Sequence, residues 1–211
     1  MVESKDAHGH ADRKMMVRCI ALSQRSHAAG EYPFGAVIAR DGTIVTEAIN
    51  HIARDTDVTR HAEIVAIAQA QAALGTTSLK GCTLYVNIEP CAMCSFAVRE
   101  SRIDRVVFGL FSPHMGGLHK WNILGDEDIS HALPEVYAPP PEIVGGFMAE
   151  EAARAIEAAA PVQWHSLISM HAIQRPRATE ATHRRSGFGL MRKVASWLRR
   201  TLFDRFGRQR S

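Results

Sequence analysis

Apolar and polar residues along the chain follow periods that alternate between those of a helix and of a strand. Over residues 12–29 the apolar positions recur at helical spacing, and Asp12 is placed to cap the start of this helix. Two runs rich in β-forming residues follow, at 34–40 and 43–50, and Asp41-Gly42 between them is typical of a two-residue hairpin turn. The start of the chain therefore predicts a helix and a β-hairpin.

The central part of the chain changes twice from helical to strand period. Residues 61–74 carry an apolar helical face that ends at Gly75, and 82–88 follow with the pattern of a strand. A further helix over 91–101 and a further strand over 103–110 come next. The order hairpin, helix, strand, helix, strand predicts an α/β fold in which helices pack on a central sheet.

The pattern becomes weaker after this strand. A Gly- and His-rich stretch at 112–120 is typical of a loop, whereas 143–144 predicts a short strand and 147–159 an alanine-rich helix. We expect one domain over residues 1–171. The polar, Arg-rich stretch 174–186 has little to bury and is typical of a linker.

The composition is that of an ordinary globular protein, with 211 residues of which 46% are hydrophobic and 22% charged. No apolar run reaches the roughly 18 residues of a membrane span, and the polar first residues do not resemble a signal peptide. We therefore expect a cytoplasmic protein whose cysteines are reduced. Cys19 and Cys82, which lie in helical and strand patterns, are most simply small buried apolar residues.

Charge is distributed unevenly between the predicted domain and a C-terminal extension over 172–211. Residues 1–171 hold 14 Lys+Arg and 20 Asp+Glu, a balance of −6, whereas 172–211 hold 11 and 2, a balance of +9. Within this basic extension, 190–206 has the pattern of an amphipathic helix with Trp and Phe on its apolar side. Such a helix is suited to an anionic membrane surface or a partner helix, and equally to docking on the protein's own body.

The segments His61-Ala62-Glu63 and Pro90-Cys91-Ala92-Met93-Cys94 carry the clearest chemical signal in the chain. His61, Cys91 and Cys94 are good zinc ligands, and the two segments offer only these three. A structural zinc site closes its tetrahedron with four protein ligands, whereas a catalytic site leaves one position open for water. The pattern therefore favours catalytic over structural Zn²⁺, with Glu63 as a carboxylate free to act.

The spacing of these residues suits two helix starts. Cys91 and Cys94 are neighbours at i and i+3, and the positive end of a helix favours the thiolates that zinc requires. His61 and Glu63 can face one cleft only at the beginning of a helix, since i and i+2 diverge on a regular helix. There Glu63 could take a proton from zinc-activated water and pass it to a ring nitrogen and then to the leaving amine of a cyclic amidine, with release of ammonia.

At these residues the chain resembles the cytidine and nucleobase deaminase superfamily, in the branch that contains bacterial tRNA adenosine deaminases and guanine deaminases. The resemblance runs from about Tyr32 to Leu110 and rests on short matching segments at 33–37, 50, 59–64, 84–86, 89–94 and 101–109. It implies a three-layer α/β/α sandwich, cytidine deaminase-like, around a mixed five-stranded sheet. The resemblance also implies a homodimer, with Zn²⁺ bound between two helix starts.

The resemblance further implies roles for residues around the metal. Asn50 would hydrogen-bond the base, the backbone N–H of Ala62 would bind a ring carbonyl or nitrogen, and Glu89 would help to shape the pocket mouth. The tRNA-editing branch usually has Pro-Val-Gly where this chain has Pro33-Phe34-Gly35. Phe34 is closer to the guanine deaminases, and we expect it at the substrate pocket.

The stretch 111–122 departs from both branches, because the Phe-Asp-Asp element usual in guanine deaminases is missing from it. His114, His119 and Trp121 are candidates for lining the pocket, since an aromatic ring can stack on a base and a histidine can bond its edge. A solvated His-rich loop explains the same residues equally well.

The preferred interpretation is a Zn²⁺-dependent hydrolytic deaminase of a small amino-substituted nucleobase, nucleoside or related heterocycle. The alternative is a deaminase of the wobble adenosine of tRNA, in which the basic extension adds phosphate contacts. A rival from another class is a non-catalytic zinc-stabilised protein that binds a membrane or a partner, in which Glu63 would have no chemical role.

Overall fold

The computed structural model describes residues 3–176 and 182–183. The predicted amphipathic helix 190–206 and most of the predicted extension 172–211 lie outside these described residues. Within the described part, no helix combines the length and the hydropathy that crossing a membrane requires.

Helices and strands follow one another in the predicted order, with three short helices added to it. The helices of the described chain are α1 (Glu3–Ala28), α2 (Ile52–Asp55), α3 (Ala62–Leu74), α4 (Ala92–Glu100), α5 (Glu127–Ala132), α6 (Ala149–Ala159) and α7 (Pro161–Ser169). Its strands are β1 (Gly35–Arg40), β2 (Thr43–Ile49), β3 (Cys82–Ile88), β4 (Arg105–Leu110), β5 (Glu142–Gly145) and β6 (Thr182–His183). The sequence pattern did not predict α2, α5 or α7.

The strands form one mixed sheet with the order β2-β1-β3-β4-β5-β6. β1 is antiparallel to β2 and β3, whereas β3, β4 and β5 are parallel to one another. The first five strands are the mixed five-stranded sheet that the sequence predicted, and β6 adds two residues at the edge. Because β3 and β4 are parallel and pair Ile88 with Leu110, the segments that follow them leave the sheet side by side.

Helices cover both faces of this sheet, which confirms the α/β/α sandwich. Alternate residues of a strand point to opposite faces. Leu84 and Val106 are therefore buried with α3 and α4 on one face, and Tyr85 and Val107 with α1 on the other. A third apolar cluster, around Ile156 and Trp164 of α6 and α7, extends the core beyond the C-terminal end of β4.

The hairpin between β1 and β2 has the turn that its sequence predicted. Asp41 and Gly42 have positive φ values of 49° and 73°, which the two central residues of a type I′ turn require. The turn pairs Arg40 directly with Thr43. The predicted two-residue turn is therefore formed by residues that tolerate this backbone conformation.

The prediction for Asp12 is wrong, because α1 begins before it and Asp12 lies inside the helix. Its carboxylate is buried and accepts two hydrogen bonds from Arg105 of β4, at 2.7 and 2.8 Å. Asp12 Oδ1 also accepts the hydroxyl of Tyr85 on β3, at 2.8 Å. Asp12 thus ties α1 to two central strands instead of capping the helix.

Replacing Asp12 with Ala should lower the free energy of unfolding by about 3 kcal/mol, since Arg105 and the Tyr85 hydroxyl would lose their buried partner. Urea denaturation followed by circular dichroism measures this change. The matched control is Glu47→Gln, which breaks the Arg18–Glu47 ion pair between α1 and β2, where the Arg18 side chain is 51% exposed. A loss in the Asp12 variant no larger than in this control would contradict the assignment.

Candidate metal centre and active site

Three sulfur and nitrogen ligands converge from the starts of two helices. His61 precedes the first residue of α3, Cys91 precedes the first residue of α4, and Cys94 lies in the first turn of α4. His61 Nδ1 is 3.6 Å from Cys91 Sγ and 3.5 Å from Cys94 Sγ, and the two sulfur atoms are 3.6 Å apart. The expectation that both motifs lie at helix starts is confirmed.

These distances fit a tetrahedral zinc ion. Zn–S bonds of about 2.3 Å and a Zn–N bond of about 2.0 Å at tetrahedral angles place two sulfurs about 3.8 Å apart and nitrogen about 3.5 Å from each sulfur. The three atoms also form the one cluster of metal-ligating side chains found within the described residues. The donor set, with two thiols and one imidazole, is one that zinc prefers.

The hydrogen bonds within the cluster prepare one thiolate in advance. The hydrogen bond between the two thiols lowers the pKa of Cys91 to about 4, and a hydrogen bond with His61 acts in the same direction. The hydrogen bond to Cys91 and burial raise the pKa of Cys94 well above its usual value. A cation that binds all three residues must therefore displace the proton of Cys94.

Glu63 lies beside the cluster but is not part of it. Its side chain belongs to the first turn of α3 and is 8% exposed. Burial raises the pKa of Glu63, and the nearby Cys91 thiolate raises it further. The carboxyl group faces a cavity that His61 and Cys91 also line.

This cavity is mainly apolar. Besides Glu63 and the metal-ligating residues, its walls come from β1, β3, the loop after β4 and the C-terminal segment. The lining residues outside the cluster are Phe34, Gly35, Val86, Asn87, Ile88, Glu89, Ser112, Met115, Leu167, Ala172 and Ile173. Such a cavity, with few polar groups beside a metal centre, suits a flat heterocyclic ring.

Asn50 and Ala62 are brought together at the start of α3. Asn50 is fully buried, and its Oδ1 accepts the backbone N–H of Ala62 at 2.9 Å. Its Nδ2 is buried and has no hydrogen-bond partner in the described structure. The donor that remains free at this point is therefore Nδ2 of Asn50, while the N–H of Ala62 is already paired.

Glu89 organises the loop that follows β4. Its carboxylate is buried and accepts the backbone N–H groups of Ser112, Leu118 and His119 at 2.8–3.0 Å. His119 Nδ1 lies 2.9 Å from Glu89 Oε2. Because Glu89 directly precedes Pro90-Cys91, it connects this loop to the metal centre.

The close approach of the loop depends on Gly116. A Cβ atom at this position would lie 2.1 Å from Glu89 Oε1, so no larger residue fits without displacing the loop. The Gly116 backbone also forms a β-bridge with Cys91. The glycine-rich character of this stretch thus follows from its packing against the helix start that carries the metal ligands.

Phe34, His114 and Trp121 were also predicted at the pocket, and the structure places them differently from one another. Phe34 lines the cavity, and its ring stacks on that of Tyr32 at a centroid distance of 5.8 Å. His114 and Trp121 are exposed and lie outside the cavity lining, which the loop reaches through Ser112 and Met115.

The sequence reasoning missed Asn87 and the C-terminal part of the cavity wall. Asn87 is buried, accepts the N–H of Gly35 at 2.9 Å and donates to the carbonyl of Pro33 at 3.0 Å. A polar residue inside the apolar strand 82–88 was the signal available for it. Leu167, Ala172 and Ile173 gave no such signal, because apolar residues carry no mark of a binding site and the sequence placed Ala172 and Ile173 in the C-terminal extension.

Comparison with known proteins places the chain in a family. The model of the cytidine and deoxycytidylate deaminase zinc-binding region matches residues 10–110. A tRNA-specific adenosine deaminase of Aquifex aeolicus is 41% identical over 118 residues, which cover 56% of this chain and 78% of that protein. A solved structure from a study of A-to-I editing by tRNA:A34 deaminases at the wobble position is also similar. Its TM-score is 0.58 and its sequence identity is 30%, and the match covers 68% of this chain and 99% of the other.

A guanine deaminase from Nitrosomonas europaea shares the fold, with a TM-score of 0.54 and 23% identity over 69% of this chain and 82% of its own. The chain belongs to the zinc-dependent cytidine and deoxycytidylate deaminase family, as the resemblance indicated. It is a hydrolase that acts on the C–N bond of an amino-substituted nucleobase, nucleoside or related heterocycle and releases ammonia. Zn²⁺ is its cofactor, and His61, Cys91 and Cys94 are placed to hold it.

Replacing Cys94 with Ala should reduce bound zinc from about one ion per chain to almost none and lower the melting temperature, because metal binding contributes to folding. Elemental analysis of the purified protein and thermal unfolding with and without a chelator measure both effects.

Cys82→Ala is the matched control, since Cys82 is an equally buried thiol in β3, outside the metal cluster. It should retain zinc and respond to the chelator like the unmodified protein. Full zinc occupancy in the Cys94 variant would show that the metal is held elsewhere.

Proposed function

From this family membership and the geometry of the centre, we propose that the chain deaminates a small amino-substituted nucleobase, nucleoside or related heterocycle, with Glu63 as the proton carrier. The observation that carries the proposal is the position of Glu63. Its carboxyl group faces the same cavity as His61 and Cys91 but stays outside the ligand set. A carboxylate in this position is free to exchange protons.

The proposed chemistry uses this carboxyl group twice. His61, Cys91 and Cys94 would hold Zn²⁺, which when bound would supply a water molecule whose pKa is near neutrality. Glu63 takes a proton from this water and delivers it to the ring nitrogen next to the carbon under attack. The second water proton then reaches the amino group through Glu63, ammonia leaves, and a carbonyl remains.

Asn50 is the proposed anchor for the ring. A buried amide donor without a partner costs about 1–3 kcal/mol, and a ring nitrogen or carbonyl of the substrate would satisfy it. The resemblance assigned such an acceptor to the N–H of Ala62, but that group is paired with Asn50 Oδ1. Asn50 is not among the residues that line the cavity, so in the proposal its Nδ2 binds a ring that reaches past the lining, while Phe34, which does line the cavity, supplies an apolar wall.

Glu89 is proposed to shape the pocket mouth indirectly. Its carboxylate is fully engaged with the backbone of the loop after β4 and does not need to touch the substrate. It fixes the loop through which Ser112 and Met115 reach the cavity.

Glu63→Gln should keep the bound zinc and the fold while lowering kcat by about 10²–10⁴-fold, because the amide cannot take the proton. Ammonia release across purines, pyrimidines, their nucleosides, triazines and RNA anticodon stem-loops identifies the substrate and then measures this loss.

Glu100→Gln, an exposed change at the end of α4, is the control and should leave turnover unchanged. If Glu63→Gln released ammonia at the rate of the unmodified protein, the proton-carrier role would be excluded. Such a result would assign the proton transfer to another group of the site.

A second candidate is deamination of the wobble adenosine of tRNA, favoured by the identity to the Aquifex aeolicus enzyme. In this case the basic residues after the described domain would contact phosphates. The truncation that tests it must come after Pro176, because Ala172 and Ile173 are buried in the described fold.

If tRNA is the substrate, this truncation should weaken RNA binding and deamination while sparing free bases, and binding should fall steeply with salt concentration. Filter binding at several salt concentrations and an inosine assay on an anticodon stem-loop measure both. Equal activity of the truncated and full chains on RNA would argue against a role for the extension.

Two further expectations stay proposals. The homodimer rests on the resemblance, and a reduced, cytoplasmic setting is consistent with the four free cysteines. Membrane or partner binding through 190–206 also stays a prediction, since that segment lies outside the described residues.

A further inference from the structure

The end of the described domain forms part of the active-site cavity. Residues 167–174, termed the covering segment, run from the last turn of α7 through the turn that follows it. Leu167, Ala172 and Ile173 of this segment line the cavity together with His61, Glu63 and Cys91. Each of the three apolar residues is at most 5% exposed, so they are packed in place.

Hydrogen bonds to the end of β4 hold the covering segment in this position. The hydroxyl of Ser112 donates to the carbonyl of Ala172 at 2.5 Å. The backbone N–H of Gln174 donates to the carbonyl of Phe111 at 2.9 Å. Two consecutive residues of the loop thus bind the segment at two points.

The same loop residues are fixed to the metal centre. Ser112 donates its backbone N–H to Glu89 Oε2 at 2.9 Å, and Glu89 stands two residues before Cys91. Ser112 therefore contacts the covering segment through its side chain and the metal-bearing segment through its backbone. Displacement of the covering segment would break the Ser112–Ala172 hydrogen bond.

The chain leaving the covering segment is anchored as well. Arg175 forms an ion pair with Glu157 of α6 at 3.0 Å, and its guanidinium lies 5.2 Å from the ring centre of Trp164. Both partners belong to the helices that carry the covering segment. The segment is thus bound to the body at Ala172 and again just after its cavity-lining residues.

We infer that the covering segment, latched by Ser112, is the element that sets substrate size, and that it selects a free heterocyclic base over a base carried on a polynucleotide. This inference rests on the proposed function. A free base needs room only for its ring. A base in RNA must enter with its ribose and both flanking phosphates still attached, and these must pass through the cavity mouth.

The selectivity would arise from apolar packing. One methylene group more or less in a hydrophobic pocket distinguishes ligands by about 10–200-fold. Leu167 and Ile173 are the two larger side chains that the segment contributes to the cavity lining. Ile173 directly follows Ala172 in the sequence. Shortening Ile173 or releasing its neighbour should enlarge the cavity on this side without touching Glu63 or the metal ligands.

The test measures kcat/KM for the zinc-loaded full chain and for its Ile173→Ala and Ser112→Ala variants. The substrates are adenine, adenosine and an RNA stem-loop with one unpaired adenosine. Guanine and guanosine are tested in parallel. The unmodified protein should show its highest kcat/KM on a free base. In both variants the ratio of nucleoside to base kcat/KM should rise by at least about tenfold. Val162→Ala, an exposed change on α7, is the control and should leave the ratio unchanged.

A second measurement does not depend on turnover. The rate at which a bulky chelator removes zinc from the folded protein should increase in Ile173→Ala and Ser112→Ala and stay constant in Val162→Ala. The inference would be overturned if neither the nucleoside-to-base ratio of kcat/KM nor the rate of zinc removal changed in the variants. It would also be overturned if the unmodified protein had a higher kcat/KM on the stem-loop than on any free base. Faster zinc removal from the variants of a protein that deaminates none of the probes would support the cover and would exclude adenine and guanine compounds as the substrates of the proposed function.

Discussion

The meeting of two helix starts at one point is the constraint on which the rest of this structure depends. His61 and Cys91 occupy the positions just before α3 and α4, and Cys94 lies within the first turn of α4. Two helices can hold three ligand atoms within 3.6 Å of one another only if their relative position is fixed. Both helices pack on the same face of the sheet, where apolar residues of β1, β3 and β4 hold them in place.

Buried charges hold the segments around this centre, and each is satisfied by groups from another part of the chain. Glu89 is paired with three backbone N–H groups and His119. Arg99, at the far end of α4, is buried and donates to the carbonyls of Ile123 and Ala138. A buried charge whose partners were removed would be costly, so these contacts fix the long connection between β4 and β5 against α4.

Much of the fold and the metal centre could be predicted from local sequence patterns. Strand 82–88, the turn at Asp41-Gly42 and the helix starts at His61 and Cys91 follow from residues close together in the chain. Asp12 could not be placed in this way, because its partners Tyr85 and Arg105 are distant in sequence.

The loop after β4 and the covering segment show the same limit. The hydrogen bonds of Glu89 to the loop backbone determine which loop residues reach the cavity. Ser112 and Met115 line it, whereas His114 is exposed. The contribution of Ala172 and Ile173 depends on where α7 ends relative to β4, which no local pattern specifies. Interactions between distant segments therefore decide the shape of the pocket, whereas its chemistry is encoded in two short motifs.

The coordination of zinc tests the central claim most directly, because a three-residue ligand set with one open position underlies the whole mechanism. X-ray absorption spectroscopy at the zinc edge of the full-length protein measures the neighbours of the metal. The account requires two sulfur neighbours at about 2.3 Å and two lighter neighbours at about 2.0 Å, of which His61 supplies one. A shell with four protein ligands, or one without sulfur, would contradict it.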